Sequence, residues 1–390
     1  MNHSTAMLYS GPVRKGWIRF DRNELAGAFG DIGTDLPLIV GMILVAGLDA
    51  ASALVMFGAM QIFTGLRYGI PMPVQPLKAM AALVIAQKLS GPVLFGGGLA
   101  IGVIMLVFTV TGLIEWLARV VPKTVVRGIQ FGLGLQLAML AVKDYVQADG
   151  RAGYVLAAIA FVITIVLMGN RRFPAALFVI ALGVLYACFF KIDFTALRHG
   201  AGFCLPRLHT LSRQDVLTGL IVLAVPQIPL SLGNSILATR QLAEDYFPER
   251  RLSIRTIGFT YSVMNLVNPW FGGIPTCHGS GGMAGHYTFG ARTGGSVVIY
   301  GSLYLALGLF FSGSFAQVIE VFPKPILGVM LAFEGLAMLL LVRDIANSKT
   351  DLMIAILVGL MAVGLPYGYV IGLVLGVALV YWWRKREPVI

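Results

Sequence analysis

Charged residues are scarce in this sequence. Only 12% of its 390 residues are Asp, Glu, Lys or Arg, whereas about 25% is usual for a soluble domain. Hydrophobic residues make up 57% of the chain, and the mean hydropathy is +0.83. These values exclude an ordinary soluble globular protein and predict an integral membrane protein.

Other absences exclude whole classes of function. The three cysteines are not spaced like metal ligands and do not form a disulfide framework. No Gly-Lys pair occurs, which excludes a P-loop and therefore ATP-driven transport by this chain alone. HGSGG at 278–282 departs from the nucleophile motif of hydrolases, because His278 replaces its first glycine. We expect no enzymatic activity, no resident metal and no cofactor.

Long uncharged runs predict an all-α membrane protein. Such runs separate Lys88 from Glu115, Arg292 from Glu320 and Asp351 from Arg384, and a helix needs about 20 apolar residues to span a bilayer. We predict roughly fourteen transmembrane segments, which begin near residues 24, 49, 69, 92, 123, 153, 172, 215, 254, 275, 293, 325, 351 and 367.

The net charge of +11 is interpreted as a topology signal. Most Lys and Arg residues fall in the two tails or in alternate loops, Arg127 among them, which is typical of cytoplasmic segments. We therefore expect a multi-pass protein of the cell membrane with both termini cytoplasmic, a lipid bilayer around it and no nucleic-acid partner. Lys78 and Arg240 are the cations assigned to membrane segments, and Arg240 is expected to pair with Glu244 four residues later.

Sequence similarity between the two halves predicts an internal duplication. LAMLAVKD at 137–144 recurs as LAMLLLVRD at 336–344, and GIP at 69–71 recurs at 273–275. The offset is about 200 residues in each case, as expected for transporters built from two repeats. Seven segments per half is an odd number, so the halves would insert with opposite topology as a 7+7 inverted repeat.

This repeat divides the chain into five predicted regions. They are a cytoplasmic N-terminal tail at 1–23, a first seven-span repeat at 24–190, an external linker at 191–214, a second seven-span repeat at 215–384 and a cytoplasmic C-terminal tail at 385–390.

Helix-breaking residues interrupt spans 3 and 10. GIPMPVQPLKA at 69–79 holds three prolines, and GGIPTCHGSGG at 272–282 has glycines in their place. We predict that an extended segment precedes a half-helix in each span, and that the two helix N-termini face each other as a site for a small anion. Lys78 adds a positive charge there, and an oxyanion would fit the converging donors best.

Three stretches resemble a known family. GAFGDIGTDLPL at 27–38, GIPMPVQPLKAMAA at 69–82 and PTCHGSGGMAGHYTFGARTGG at 275–295 are similar to signature segments of the bacterial and plant molybdate transporters, which are related to sulfate permeases. The resemblance covers almost the whole membrane region. It implies a fourteen-segment inverted repeat with core and gate domains, molybdate as substrate, a possible homodimer and no C-terminal regulatory domain.

Carried over by motif, the resemblance also implies eight substrate-binding positions. They are Thr34, Gln75, Lys78, Asn234, Cys277, His278, Gly279 and Ser280. The sequence departs from the family pattern at Asp35, where an apolar or aromatic residue is expected, and at Ser280, where alanine is more frequent.

Several residue roles stay open at this point. Asp35 and Glu334 are candidate proton-coupling groups, since entry of a dianion against a negative-inside potential needs a compensating charge. Glu334 has the alternative role of a structural acid, and His278 that of a hydrogen-bonded structural group. For Asp31, capping of the broken first span is one interpretation.

The function also has open alternatives. Sulfate or another oxyanion is the nearest rival substrate, and an anion channel is hard to separate from a carrier by sequence. A nucleobase permease is less favoured, because it would need carboxylates where this chain has Asn234, His278 and Gly279.

Overall fold

A computed structural model describes residues 18–168, 175–190 and 202–386 of the chain. The predicted tails and the predicted linker at 191–214 therefore lie partly outside the described residues, and residues 203–212 contain no helix or strand. The first half contains α1 (Arg22–Ala28), α2 (Ile32–Ala46), α3 (Ala50–Tyr68), β1 (Val74–Pro76), α4 (Lys78–Gln87), α5 (Gly91–Thr111), α6 (Leu113–Val120), α7 (Lys123–Tyr145), α8 (Gly150–Leu167) and α9 (Ala175–Phe190).

In the second half, as in the first, a short strand is preceded by helices and followed by a short helix. The second half contains α10 (Arg213–Tyr246), α11 (Ile254–Val267), β2 (Thr276–His278), α12 (Ser280–Thr288), α13 (Gly295–Phe310), α14 (Ser312–Val321), α15 (Lys324–Ile345), α16 (Lys349–Gly364) and α17 (Gly368–Arg386). The chain is thus mostly helical, as predicted.

Most of the predicted segments begin at or near an observed helix, and those near 69 and 275 begin just before the two strands. Starts predicted near 92, 123, 254 and 325 lie within about one residue of the observed helix starts. In the described ranges, 6 helices are long and apolar enough to cross a membrane, or up to 7 if the bent pair α13 and α14 forms one span. The count of fourteen stays a prediction. The short helices α6 and α14 were not anticipated.

The described residues contain a single sheet, formed by two short strands. β1 and β2 pair antiparallel, with Val74 opposite His278 and Gln75 opposite Cys277. Each strand leads directly into a short helix, α4 or α12. The extended segments predicted from the proline and glycine runs therefore do meet, and the first residues of α4 and α12, Lys78 and Ser280, line one cavity.

Side-chain amides occupy the outer edges of this sheet. Gln61 of α3 donates to the Val74 carbonyl (2.6 Å) and accepts from the Val74 amide (2.8 Å). Asn265 of α11 does the same for Thr276, at 2.6 Å and 2.9 Å. Unpaired backbone groups are costly in an apolar interior, so these two amides allow a two-stranded sheet to exist between buried helices.

The helices around this sheet pack in three main sets. α3 packs against α13, and α5 packs against α10 and α11, while α7 packs against α15, α16 and α17. Small residues allow the closest approach, since a methyl group on Gly58 of α3 would overlap the Gly301 carbonyl of α13. The short helix α4 contacts both α2 and α7, which places its first residue, Lys78, between these two helices.

Candidate functional site

The residues predicted from the two broken segments converge on one cavity. Its volume is about 320 Å³, and it opens beside the two strands and the starts of α4 and α12. Seven of the eight predicted binding residues line it, namely Gln75, Lys78, Asn234, Cys277, His278, Gly279 and Ser280. Another cavity of about 380 Å³, lined by Leu36, Val40, Phe315 and other mostly apolar residues, offers no comparable donors.

Lys78 is the first residue of α4, and it pairs with Glu334 of α15. The distance from Lys78 Nζ to Glu334 Oε1 is 3.1 Å. The two side chains are only 31% and 13% exposed, so this ion pair is partly desolvated. The sequence predicts separate roles for these two residues, whereas in the structure the Glu334 carboxylate neutralises the Lys78 charge beside the cavity.

The first amides of α4 are not free. The side-chain carbonyl of Gln227, from α10, accepts hydrogen bonds from the amides of Ala79 (3.0 Å) and Met80 (3.3 Å). Amides at a helix start have no partner within the helix, and a buried start requires one. The expectation that this helix N-terminus offers its amides to a ligand is therefore modified: in this conformation Gln227 holds two of them.

Gln75, which lines the cavity, also orients the carboxylate of Asp31. The Gln75 Nε2 lies 2.7 Å from both Asp31 carboxylate oxygens, and both residues are buried. Asp31 precedes α2 but makes no side-chain capping hydrogen bond there. The capping interpretation of Asp31 is wrong, because the carboxylate turns to the Gln75 amide and lies against Gly282 of α12.

The second broken segment contributes polar atoms and open space. His278 is fully buried, and its Nε2 lies 2.7 Å from the Thr260 hydroxyl. Its Nδ1 has no hydrogen-bond partner in the described part of the chain. Gly279 contacts the Gln75 side chain so closely that no Cβ would fit, whereas nothing lies within 4 Å of the position a Cβ would take on Gly281.

Asp35 is not among the described residues that line this cavity. Asp35 is fully buried; Tyr300 donates a long hydrogen bond of 3.4 Å to its Oδ2, and its Oδ1 has no partner among the described residues. Thr34 belongs to α2, but its side chain lies outside the described residues. The expected pair of Arg240 and Glu244 does form, at 2.8 Å, away from this cavity.

Sequence reasoning missed three polar residues of the cavity lining, Arg127, Gln227 and Ser235. Arg127 had been assigned to a cytoplasmic loop, yet it lies in the second turn of α7. Arg127 lies within the span predicted to begin near residue 123, and this position could have indicated a residue inside the membrane region. For Gln227 and Ser235 the signal was weak, because a lone polar residue in an apolar helix is common.

Solved structures of anion transporters share this fold. The transmembrane domain of a cyanobacterial bicarbonate transporter matches with a TM-score of 0.67 at 18% identity, covering 92% of this chain and 96% of that one. The murine Solute Carrier 26 family member A9 anion transporter, in its inward-facing state, matches with a TM-score of 0.67 at 15% identity, covering 93% of this chain and 68% of that one. At these identities the likeness shows the fold alone.

Sequence comparisons show the family. A family model described as "Molybdate transporter of MFS superfamily" matches residues 23–137 and 219–338. "Molybdate transporter 2" of Arabidopsis thaliana is 35% identical over 89% of this chain and 86% of its own length, and "Molybdate transporter 1" of the same plant is 33% identical over 93% and 88%. The chain belongs to this molybdate transporter family, as its sequence motifs predicted.

Proposed function

We propose that this protein is a secondary active transporter that takes up a tetrahedral oxyanion, namely molybdate. The observation that carries the proposal is the cavity of about 320 Å³, on which seven predicted residues converge around Lys78. A tetrahedral oxyanion has acceptor oxygens in several directions, so it suits donors that reach it from two strand and helix units. The names of the relatives support molybdate as the substrate.

The proposed mechanism is alternating access by a 7+7 inverted repeat of fourteen segments. The antiparallel pairing of β1 with β2, and the equivalent half-helices that follow them, support this arrangement with spans 3 and 10 broken. The cavity is lined by Lys78 and Cys277 on one side and by Arg127 of α7 and Leu341 of α15 on the other. The core domain that carries the strands would move against the gate domain that carries α7 and α15.

The ion pair of Lys78 and Glu334 supports a proposed coupling to protons. Protonation of Glu334 would release Lys78 to the oxyanion and would add a positive charge to the transported load. Each net negative charge that enters against 100 mV costs about 2.3 kcal/mol, so this compensation favours uptake. Asp35 is the second candidate, since its unpartnered oxygen is fully buried.

The wider assembly is also proposed. The chain would lie in the cell membrane with both termini in the cytoplasm, and it would form a homodimer as related folds do. A single cysteine placed in either tail of the protein and labelled chemically in intact cells tests the orientation of the termini. Size analysis of the purified protein tests the homodimer.

Calorimetric titration of the purified protein with molybdate, tungstate and sulfate tests the substrate. Molybdate and tungstate are close in size and charge, so both should bind, and excess sulfate should not displace them. Binding of sulfate alone would instead make the protein a sulfate carrier. No binding of any of the three would overturn the oxyanion proposal and favour a nucleobase permease or a channel.

Uptake into proteoliposomes tests the coupling. An inwardly directed proton gradient should accelerate molybdate uptake by the wild type. Glu334→Gln should lose this acceleration but should still exchange internal for external molybdate, because the amide imitates the protonated acid. Equal acceleration of both proteins by the gradient would exclude Glu334 as the coupling group.

A further inference from the structure

Arg127 lies where two cavities meet. It lines the candidate cavity together with Lys78, and it also lines a neighbouring cavity of about 440 Å³. Asn234 and Ala238 line both cavities as well, and the second holds two more cations, Lys123 and Arg384. The path that leads from the candidate site through this second cavity is therefore rich in positive charge.

The guanidinium of Arg127 is only partly engaged. Nη1 donates to Gln130 Oε1 at 2.8 Å, and Nη2 forms an ion pair with Asp344 Oδ2. Nε is buried and has no hydrogen-bond partner among the described residues. The side chain is 14% exposed. A guanidinium can bind an oxyanion through Nε and Nη2 together, and Asp344 occupies only one half of that edge.

One helix supplies the counter-ions of both cations in the cavity. Glu334, which pairs with Lys78, and Asp344, which pairs with Arg127, both belong to α15. Leu341 of the same helix lines the cavity. Lys78 and Arg127 come from two different helices, α4 and α7. Both cations of the cavity are therefore paired with carboxylates of a third helix, α15.

We propose that Arg127 is a second anion-binding residue of the site, and that a bound tetrahedral dianion displaces Asp344 from its guanidinium. The inference rests on the proposed function, since it assigns a further contact for the same oxyanion. A dianion can neutralise two cations at once, and its oxygens can satisfy the free Nε as well as Nη2. A monoanion would do so less well, so Arg127 would also favour divalent over monovalent anions.

Calorimetric titration of the purified full-length protein with sodium molybdate tests the proposal. Arg127→Gln removes the charge but retains hydrogen-bonding capacity, and it should weaken binding by about 30-fold. Arg127→Lys keeps the charge without the planar edge and should fall between this variant and the wild type. Asp344→Asn should bind about threefold more tightly than the wild type, because the competing carboxylate is gone.

Arg240→Gln is the matched control. It also removes an arginine that pairs with a carboxylate, Glu244, but this pair lies at another cavity. Its molybdate affinity should equal that of the wild type. Thermal unfolding of all variants, with and without molybdate, separates loss of binding from loss of the fold.

The outcomes separate this inference from the function on which it rests. Wild-type affinity in Arg127→Gln would overturn the inference and leave the oxyanion transporter intact. Equal losses of affinity and stability in Arg127→Gln and Asp344→Asn would overturn it too, since the pair would then be structural. A wild-type protein that binds no oxyanion would overturn both.

Discussion

The two strand and helix units, 74–87 and 276–288, share a backbone but differ in chemistry. Each consists of a three-residue strand and a short helix, and each strand edge is held by a side-chain amide, Gln61 in one half and Asn265 in the other. The groups that maintain the fold therefore recur in both halves. They recur because each strand is buried, and the backbone groups at its outer edge need hydrogen-bond partners from the protein.

The charged and cavity-forming groups do not recur. The first unit begins its helix with Lys78, whose charge is paired with Glu334, and Gln227 holds its first amides. The second begins its helix with Ser280 after Gly279 and has no side-chain cap. The first unit contributes charge and the second contributes open backbone, so the site is asymmetric although both units have the same order of strand and helix.

The largest effect is expected from replacing Gln61 or Asn265, the side-chain amides that bond the strand edge in each half. Gln61→Leu and Asn265→Leu each remove the two hydrogen bonds to the strand edge, and leave a buried strand N–H and C=O without these partners. Each should lower the free energy of unfolding by about 2 to 5 kcal/mol. The shift of the thermal unfolding midpoint in detergent measures this.

Gln241→Leu is the control for the loss of an amide, since Gln241 bonds to Asp245 at an exposed position. It should change stability little. A large loss in only one of the two edge variants would show that the sheet depends on one half alone.

The next largest effect should come from the charge that only the first unit carries. Lys78→Gln should weaken molybdate binding by about 100-fold, because it removes a partly buried cation from the cavity. Lys88→Gln is the matched control, since Lys88 follows the same helix and pairs with Asp144 at an exposed position. Calorimetric titration checks both. Affinity within about threefold of the wild type in Lys78→Gln would place the anion elsewhere.

Sequence alone predicted the two extended segments and most of the cavity lining. Three closely spaced prolines at 69–79 and clustered glycines at 272–282 disfavour a regular helix, and so indicated where the helices break. The constant offset between the halves then indicated that the two breaks belong together. Seven lining residues followed from these two facts and from the family motifs.

What sequence did not provide were contacts between distant helices. Glu334 and Lys78 are far apart in the chain, and neither has a charged counterpart in the other half, so their pairing was not predictable from spacing. Arg127 resembled a topology signal, because a cation near a span end is ordinary. Asp31 had a plausible local role as a cap, and only the fold brings Gln75 to it.

A smaller effect is expected from filling the space in the second unit. Gly279→Ala would push a methyl group into the Gln75 side chain and disturb its bonds to Asp31, so molybdate affinity should fall by about tenfold. Gly281→Ala is the control, because space is open at that position, and its affinity should change by less than about threefold. Equal effects of the two substitutions would show that steric room at Gly279 does not matter.

The smallest effect should come from Ser280, the counterpart of Lys78 at the start of α12. Its hydroxyl lines the cavity, and a neutral hydrogen bond contributes about 1 kcal/mol, so Ser280→Ala should weaken binding by no more than about fivefold. Titration of this variant beside Lys78→Gln compares the two helix starts directly. A loss in Ser280→Ala as large as that in Lys78→Gln would mean that both units hold the anion through side chains. The small loss expected would mean that Lys78 supplies the charge and that α12 contributes mainly its backbone.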